Sequence, residues 1–189
     1  MTFNTHKNMK RILLAIALLC AVAMMAGCVS SYTSTIVGGD YDAKKNATDY
    51  FVLPFGQVSI PGKWEKWAYN PSARQQFFIN EDSVIVAVVF GRTDKYEFNK
   101  DGTLKGLDFL MAFYEWEADY FKSHGYETQF IETDTAKQYI IYRFYSETAN
   151  TYFLIGVKCN GNISNFSVNR TDKWTEEEKL LFLKNLYNN

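Results

Sequence analysis

The sequence predicts an α+β domain in which a largely antiparallel sheet of about seven strands carries two main helices. Three features lead there. Residues 84–90 are seven consecutive apolar residues, mostly β-branched, without the polar alternation of a half-exposed strand, so this strand is expected to be covered on both faces. Asn160-Gly161 stands between two apolar runs and is the strongest two-residue hairpin signal, because both turn positions favour positive φ. Helical periodicity is confined to residues 104–124 and 175–187.

Residues 58–60 read as a short strand stopped by Pro61-Gly62, and residues 75–80 pair with 84–90 across Glu81-Asp82-Ser83. The long helix is expected to end at Gly125, a left-handed cap, with His124 in a last turn where the helix dipole favours a surface cation. Its charged face holds Asp108, Glu115, Asp119 and Lys122 within about 60° of arc. The remaining surface is a broad apolar arc containing Phe109, Leu110, Phe113, Tyr114, Trp116 and Phe121, expected to be buried against the sheet.

Residues 127–132 and 138–145 supply two further strands. A two-residue turn at Asn160-Gly161 would pair Val157 with Ser164, Ile155 with Phe166 and Phe153 with Val168, placing the apolar residues of both strands on one face. In the last helix Thr175-Glu176-Glu177-Glu178 is a capping box, followed by Leu180, Leu183 and Tyr187 on one stripe.

The chain has 189 residues, and its first 27 read as an export signal: Lys10-Arg11, then fifteen uncharged, mostly apolar residues, too few to span a bilayer. The signal ends in Met25-Ala26-Gly27-Cys28, which resembles the bacterial lipobox, implying that Cys28 is acylated and becomes the new N-terminus. Val29 is not the aspartate that retains enterobacterial lipoproteins at the inner membrane, which points to an envelope protein of the outer membrane. Residues 28–48, rich in Ser, Thr, Gly and Asn, read as a tether holding a single domain of residues 49–189 about 25 Å from its anchor. Cys159, left without a thiol partner, reads as a small buried hydrophobe.

Counting excludes several functions. The whole chain carries a net charge of −1, and the signal removes three cations and no acid, so the mature protein stands at −4 and is poorly suited to nucleic acid. One histidine and two cysteines after position 27 leave no set for a metal centre or a disulfide scaffold, and no cofactor fingerprint occurs. Aromatic residues make up 31 of the 162 positions after 27, which makes ring chemistry the main functional clue.

Residues 58–64, Val-Ser-Ile-Pro-Gly-Lys-Trp, followed by an apolar hairpin, a long helix, antiparallel strands and a terminal helix, resemble the PsbP-like family. That fold is shared by the photosystem extrinsic protein, the nuclear Ran-release factor and several bacterial envelope lipoproteins. The resemblance covers residues 50–189 in element order and implies a three-layer α/β/α sandwich and a binding or assembly role rather than catalysis. No residue set matches the Ran-binding motif.

The expected function is therefore a non-catalytic binding or assembly module with a protein or saccharide partner. A carboxylate-dependent hydrolase and an immunity-type inhibitor are the rival readings. Carboxylate pairs at Glu115/Asp119 and Glu132/Asp134 could serve a hydrolase, although the first pair reads more simply as a solvated helix face. For binding, Trp64, Trp67 and Tyr69 cluster after Pro61-Gly62 and are expected on a loop surface. Glu117 falls inside the apolar arc, where an acid must be paired, protonated or at a cleft. Arg143 is expected to face it, beside Tyr114, Trp116 and Tyr145.

Overall fold

A computed structural model describes residues 34–158 and 160–189. The signal, Cys28 and Cys159 lie outside the described residues, and so do the expectations made for them. Eleven strands and two helices are described: β1 (Ile36–Gly38), β2 (Tyr41–Asp42), β3 (Ala47–Leu53), β4 (Gly56–Pro61), β5 (Glu65–Asn70), β6 (Gln75–Ile79), β7 (Ile85–Arg92), α1 (Gly106–Ser123), β8 (Glu127–Asp134), β9 (Tyr139–Tyr145), β10 (Asn150–Val157), β11 (Asn162–Val168) and α2 (Glu176–Asn188). None of the described helices is long and apolar enough to cross a membrane. The fold is α+β, with one antiparallel sheet of seven strands in the order β5-β6-β7-β11-β10-β9-β8 and a small sheet in which β3 pairs with β1, β2 and β4.

The small sheet corrects the tether. Residues 36–48 are already folded, because their polar side chains are used in hydrogen bonds rather than left to water: the Thr48 hydroxyl donates to the Gly62 carbonyl at 3.0 Å and accepts from the Trp64 amide at 2.9 Å. A Ser/Thr-rich composition is compatible with an edge sheet when each hydroxyl has a partner.

The expected hairpin exists, but its register is shifted by one residue. Lys158 N–H donates to the Asn162 carbonyl and Gly161 N–H to the Lys158 carbonyl, with Gly161 at φ 76°, so the loop is longer than the two-residue turn. Val157 pairs with Ile163, Ile155 with Asn165, Leu154 with Phe166 and Phe153 with Ser167. A one-residue slip exchanges the faces of one strand relative to the other.

One face of the large sheet carries Val86, Val88, Phe90, Leu154, Phe166 and Val168. It packs on Leu183 and Leu186 of α2 and on Tyr50, Val58 and Ile60 of the small sheet. This covering layer is mixed, helix beside sheet, rather than purely helical. The opposite face packs Ile140, Tyr142, Phe153 and Ile155 against Phe109, Leu110 and Phe113 of α1. Each such fully buried side chain contributes roughly 1.5–3 kcal/mol.

Helix α1 lies mainly over β8, β9 and β10. The arc expected to be buried is buried only in part: Phe109, Leu110 and Phe113 are enclosed, whereas Trp116 keeps 42% and Tyr120 56% of its surface exposed, because a sheet meets only one stripe of a helix. The expected cap is present. Gly125, at φ 82°, donates to Lys122, and Tyr126 donates to Phe121 while its ring packs on that residue's ring at 6.1 Å. The capping box of α2 is also present, with reciprocal bonds between Thr175 and Glu178.

Candidate functional site

Because α1 stops at β10, half of its sheet face lies open, and a cleft of about 800 Å³ fills that place. Its floor is the sheet itself: Gln75 and Phe77 of β6, Val89 of β7, Asn165 and Ser167 of β11, and Thr151 and Phe153 of β10. Residues 84–90 were expected to be covered on both faces. Val89 is only half-buried because its side forms this floor.

Thr151, Asn165 and Ser167 are 8%, 8% and 2% exposed, yet their side chains make no hydrogen bond to another described residue. Buried polar groups normally have a hydrogen-bond partner, in the protein or in ordered water. Here they line the cleft, where their donors and acceptors are open to a guest.

One wall is the row Phe113, Glu117 and Phe121 on α1, spaced four residues apart and so stacked on one side of the helix, with Trp116 at the lip. The segment before α1 completes this wall. Its Tyr96 ring packs on Phe113 at 5.2 Å and on Trp116 at 6.0 Å. Asn99 fixes the segment: fully buried, it donates from Nδ2 to the carbonyls of Thr93 and Leu104 and accepts from the Leu104 amide at 2.9 Å.

Glu117 accepts a hydrogen bond from the Tyr142 hydroxyl. Burial pushes the carboxyl up to about 7, with the tyrosine bond pulling the other way. Burial, followed by the charge of Glu117, raises the hydroxyls of Tyr96 and Tyr142 above the ordinary tyrosine range. Among the described residues no cation is paired with Glu117.

The expected partnership with Arg143 is overturned. Residues alternate along β9, so Tyr142 faces α1 while Arg143 faces the other side. There Arg143 donates to Gln129 and to the Tyr152 hydroxyl, both at 2.8 Å, and meets Glu176 at 3.8 Å. Tyr145 shares that face and donates to Glu127, so it does not border the cleft. Tyr114 packs behind Glu117, on Phe130 and Tyr142.

The aromatic cluster after Pro61-Gly62 also divides. Trp64 is buried, donating to the Pro61 carbonyl and packing on Trp174. Trp67 and Tyr69 are exposed, not on a loop but on the edge strand β5, where Trp67 packs on Phe77 of the cleft floor. Neither expected acid pair lies in the cleft: Glu115 and Asp119 are exposed on α1, Glu132 is held by Lys184 at 2.7 Å, and Asp134 caps the β8–β9 turn. His124 is exposed at the helix end, bonded to the Tyr120 carbonyl.

Sequence patterning missed Thr151, Asn165, Ser167 and Tyr96. With the hairpin in its three-residue form, Asn165 and Ser167 would have paired with Ile155 and Phe153 and so read as two polar residues on the apolar face of a central strand. The chain matches no protein-family model, and no curated protein matches it.

Proposed function

We propose that the protein is a lipid-anchored envelope module of the outer membrane that binds its partner in the cleft beside α1 and performs no chemistry on it. The observation that carries this reading is the floor of Thr151, Asn165 and Ser167, three buried polar side chains that line the cleft and have no hydrogen-bond partner among the described residues. Uncharged hydroxyls and amides beside exposed rings suit the polar groups and apolar faces of a saccharide or a protein segment. Hydrolysis by paired carboxylates has less support, since of the two acids lining the cleft Glu117 is half-buried and Glu97 is exposed. Helices on opposite faces of an antiparallel sheet support the PsbP-like, three-layer reading, which belongs to the same proposal.

The test uses the full chain expressed in a bacterial envelope, as parent, Cys28→Ala and Ser167→Trp. The parent is expected to take up labelled palmitate, fractionate with the membrane and retain a ligand detectable by mass spectrometry. Cys28→Ala should lose the label but keep the ligand, and Ser167→Trp, folded by circular dichroism, should keep the label but lose the ligand. Palmitate uptake by Cys28→Ala would remove the anchor from the reading. Ligand retained by Ser167→Trp would remove the cleft.

A further inference from the structure

We propose that the inner end of the cleft receives a protonated amine, with the Glu117 carboxylate as its counter-ion and the rings of Phe113, Trp116, Phe121 and Phe153 as its apolar flanks. This inference rests on the reading of the cleft as a ligand site and adds the class of ligand.

A carboxylate offers about four acceptor positions, and Tyr142 occupies one of them. The remainder open toward a cleft whose lining nearby is aromatic, so water there is a poor substitute for a fixed donor. A carboxylate taken from bulk water needs a cation to restore what desolvation removes. No described lysine, arginine or histidine supplies one: the lining cations are Arg74 on the β5–β6 turn, Arg92, which is engaged by Asp94 at 2.8 Å, and Lys95. The rings add their own preference, because an ammonium group is attracted to the negative face of Trp and Phe. A carboxylate ringed by aromatic side chains thus favours R–NH₃⁺ over an alcohol of equal size.

Two described titratable groups act on Glu117, Tyr142 from β9 and Tyr96 from the segment before α1, and Tyr114 on α1 acts on Tyr142. The floor strands β10 and β11 present Thr151, Phe153, Asn165 and Ser167, none charged. Since burial raises Glu117 to about 7, an amine must displace a proton below neutrality and none above it.

The experiment is calorimetric titration of the full-length protein in detergent with 2-phenylethylamine and its neutral analogue 2-phenylethanol, at pH 8 and pH 5.5. At pH 8 the amine is expected to bind about ten- to a hundredfold more tightly than the alcohol, the range of a charge-assisted hydrogen bond. That preference should collapse at pH 5.5 and in Glu117→Gln, while the alcohol's affinity is unchanged in both. Equal binding of amine and alcohol by the parent would overturn the amine while leaving the cleft as a ligand site. A preference that survives Glu117→Gln would overturn it as well, and so would binding of neither probe. In that last case the cleft is judged by ligand retention in Ser167→Trp, a separate measurement.

Discussion

Strand β11 has two faces that do opposite things with neighbouring residues. Phe166 and Val168 point into a dry layer closed by α2 and the small sheet, while Asn165 and Ser167, one position away in each case, point into the cleft beside α1. All four are at least nine-tenths buried. Burial alone therefore does not separate core from site, and hydrogen-bond accounting does. The closed face leaves its apolar atoms nothing to do but pack, whereas the other face presents donors and acceptors that no other described residue uses.

Substitution should separate the two faces. Phe166→Ala, which empties the volume beside Phe90, is expected to lower stability by about 3–5 kcal/mol in urea denaturation. Ser167→Ala, which deletes only the hydroxyl on the other face, should change it by less than about 1 kcal/mol, because no hydrogen bond to another described residue is lost. Equal losses would erase the distinction between the faces.

The next contrast is one of pH. With its folded value raised to about 7, Glu117 contributes stability that is fully present below the ordinary carboxylate range and is lost as pH rises through 7. Between pH 5 and pH 8 this group should cost the parent up to about 3 kcal/mol. Glu117→Gln keeps an acceptor for Tyr142 and cannot ionise, so its thermal stability should match the parent at pH 5 and exceed it at pH 8. A variant that tracks the parent at both values would mean that the carboxylate is well solvated.

The smallest effect lies at the edge of the closed face. Thr175→Ala removes the side-chain acceptor of the α2 capping box and should cost about 1 kcal/mol by the same denaturation measurement, without changing ligand retention. A change in retention would tie α2 to the cleft on the far side of the sheet.

Much of the framework was legible because local signals and global packing agree there. Thr175-x-x-Glu178 names its own helix start, Gly125 its own helix end, and the apolar run before Gly91 a central strand. What escaped depended on single-residue offsets or distant partners. Asn160-Gly161 announced a hairpin but not the additional loop residue, and that residue decides whether Asn165 shares a face with Leu154 or, as it does, with Ile155. Thr48 reads as linker until the Gly62 carbonyl and the Trp64 amide, fourteen and sixteen residues away, are beside it. Glu117 was recognisable as anomalous on its helix. Its partner was not, because Tyr142 and Arg143 are adjacent in sequence and on opposite faces of β9.

Asn99 gives the segment before α1 a property that concerns time rather than affinity. Three hydrogen bonds from one buried amide hold the span between Thr93 and Leu104, and that span holds Tyr96 against Phe113 and Trp116. The wall is thus ordered by the chain's own folding, and a guest does not have to recruit it. Little conformational entropy is left to lose on that side, and no loop closure has to precede or follow arrival. For the proposed guest, residence on this side would be governed by how quickly contacts break rather than by a gate that must open.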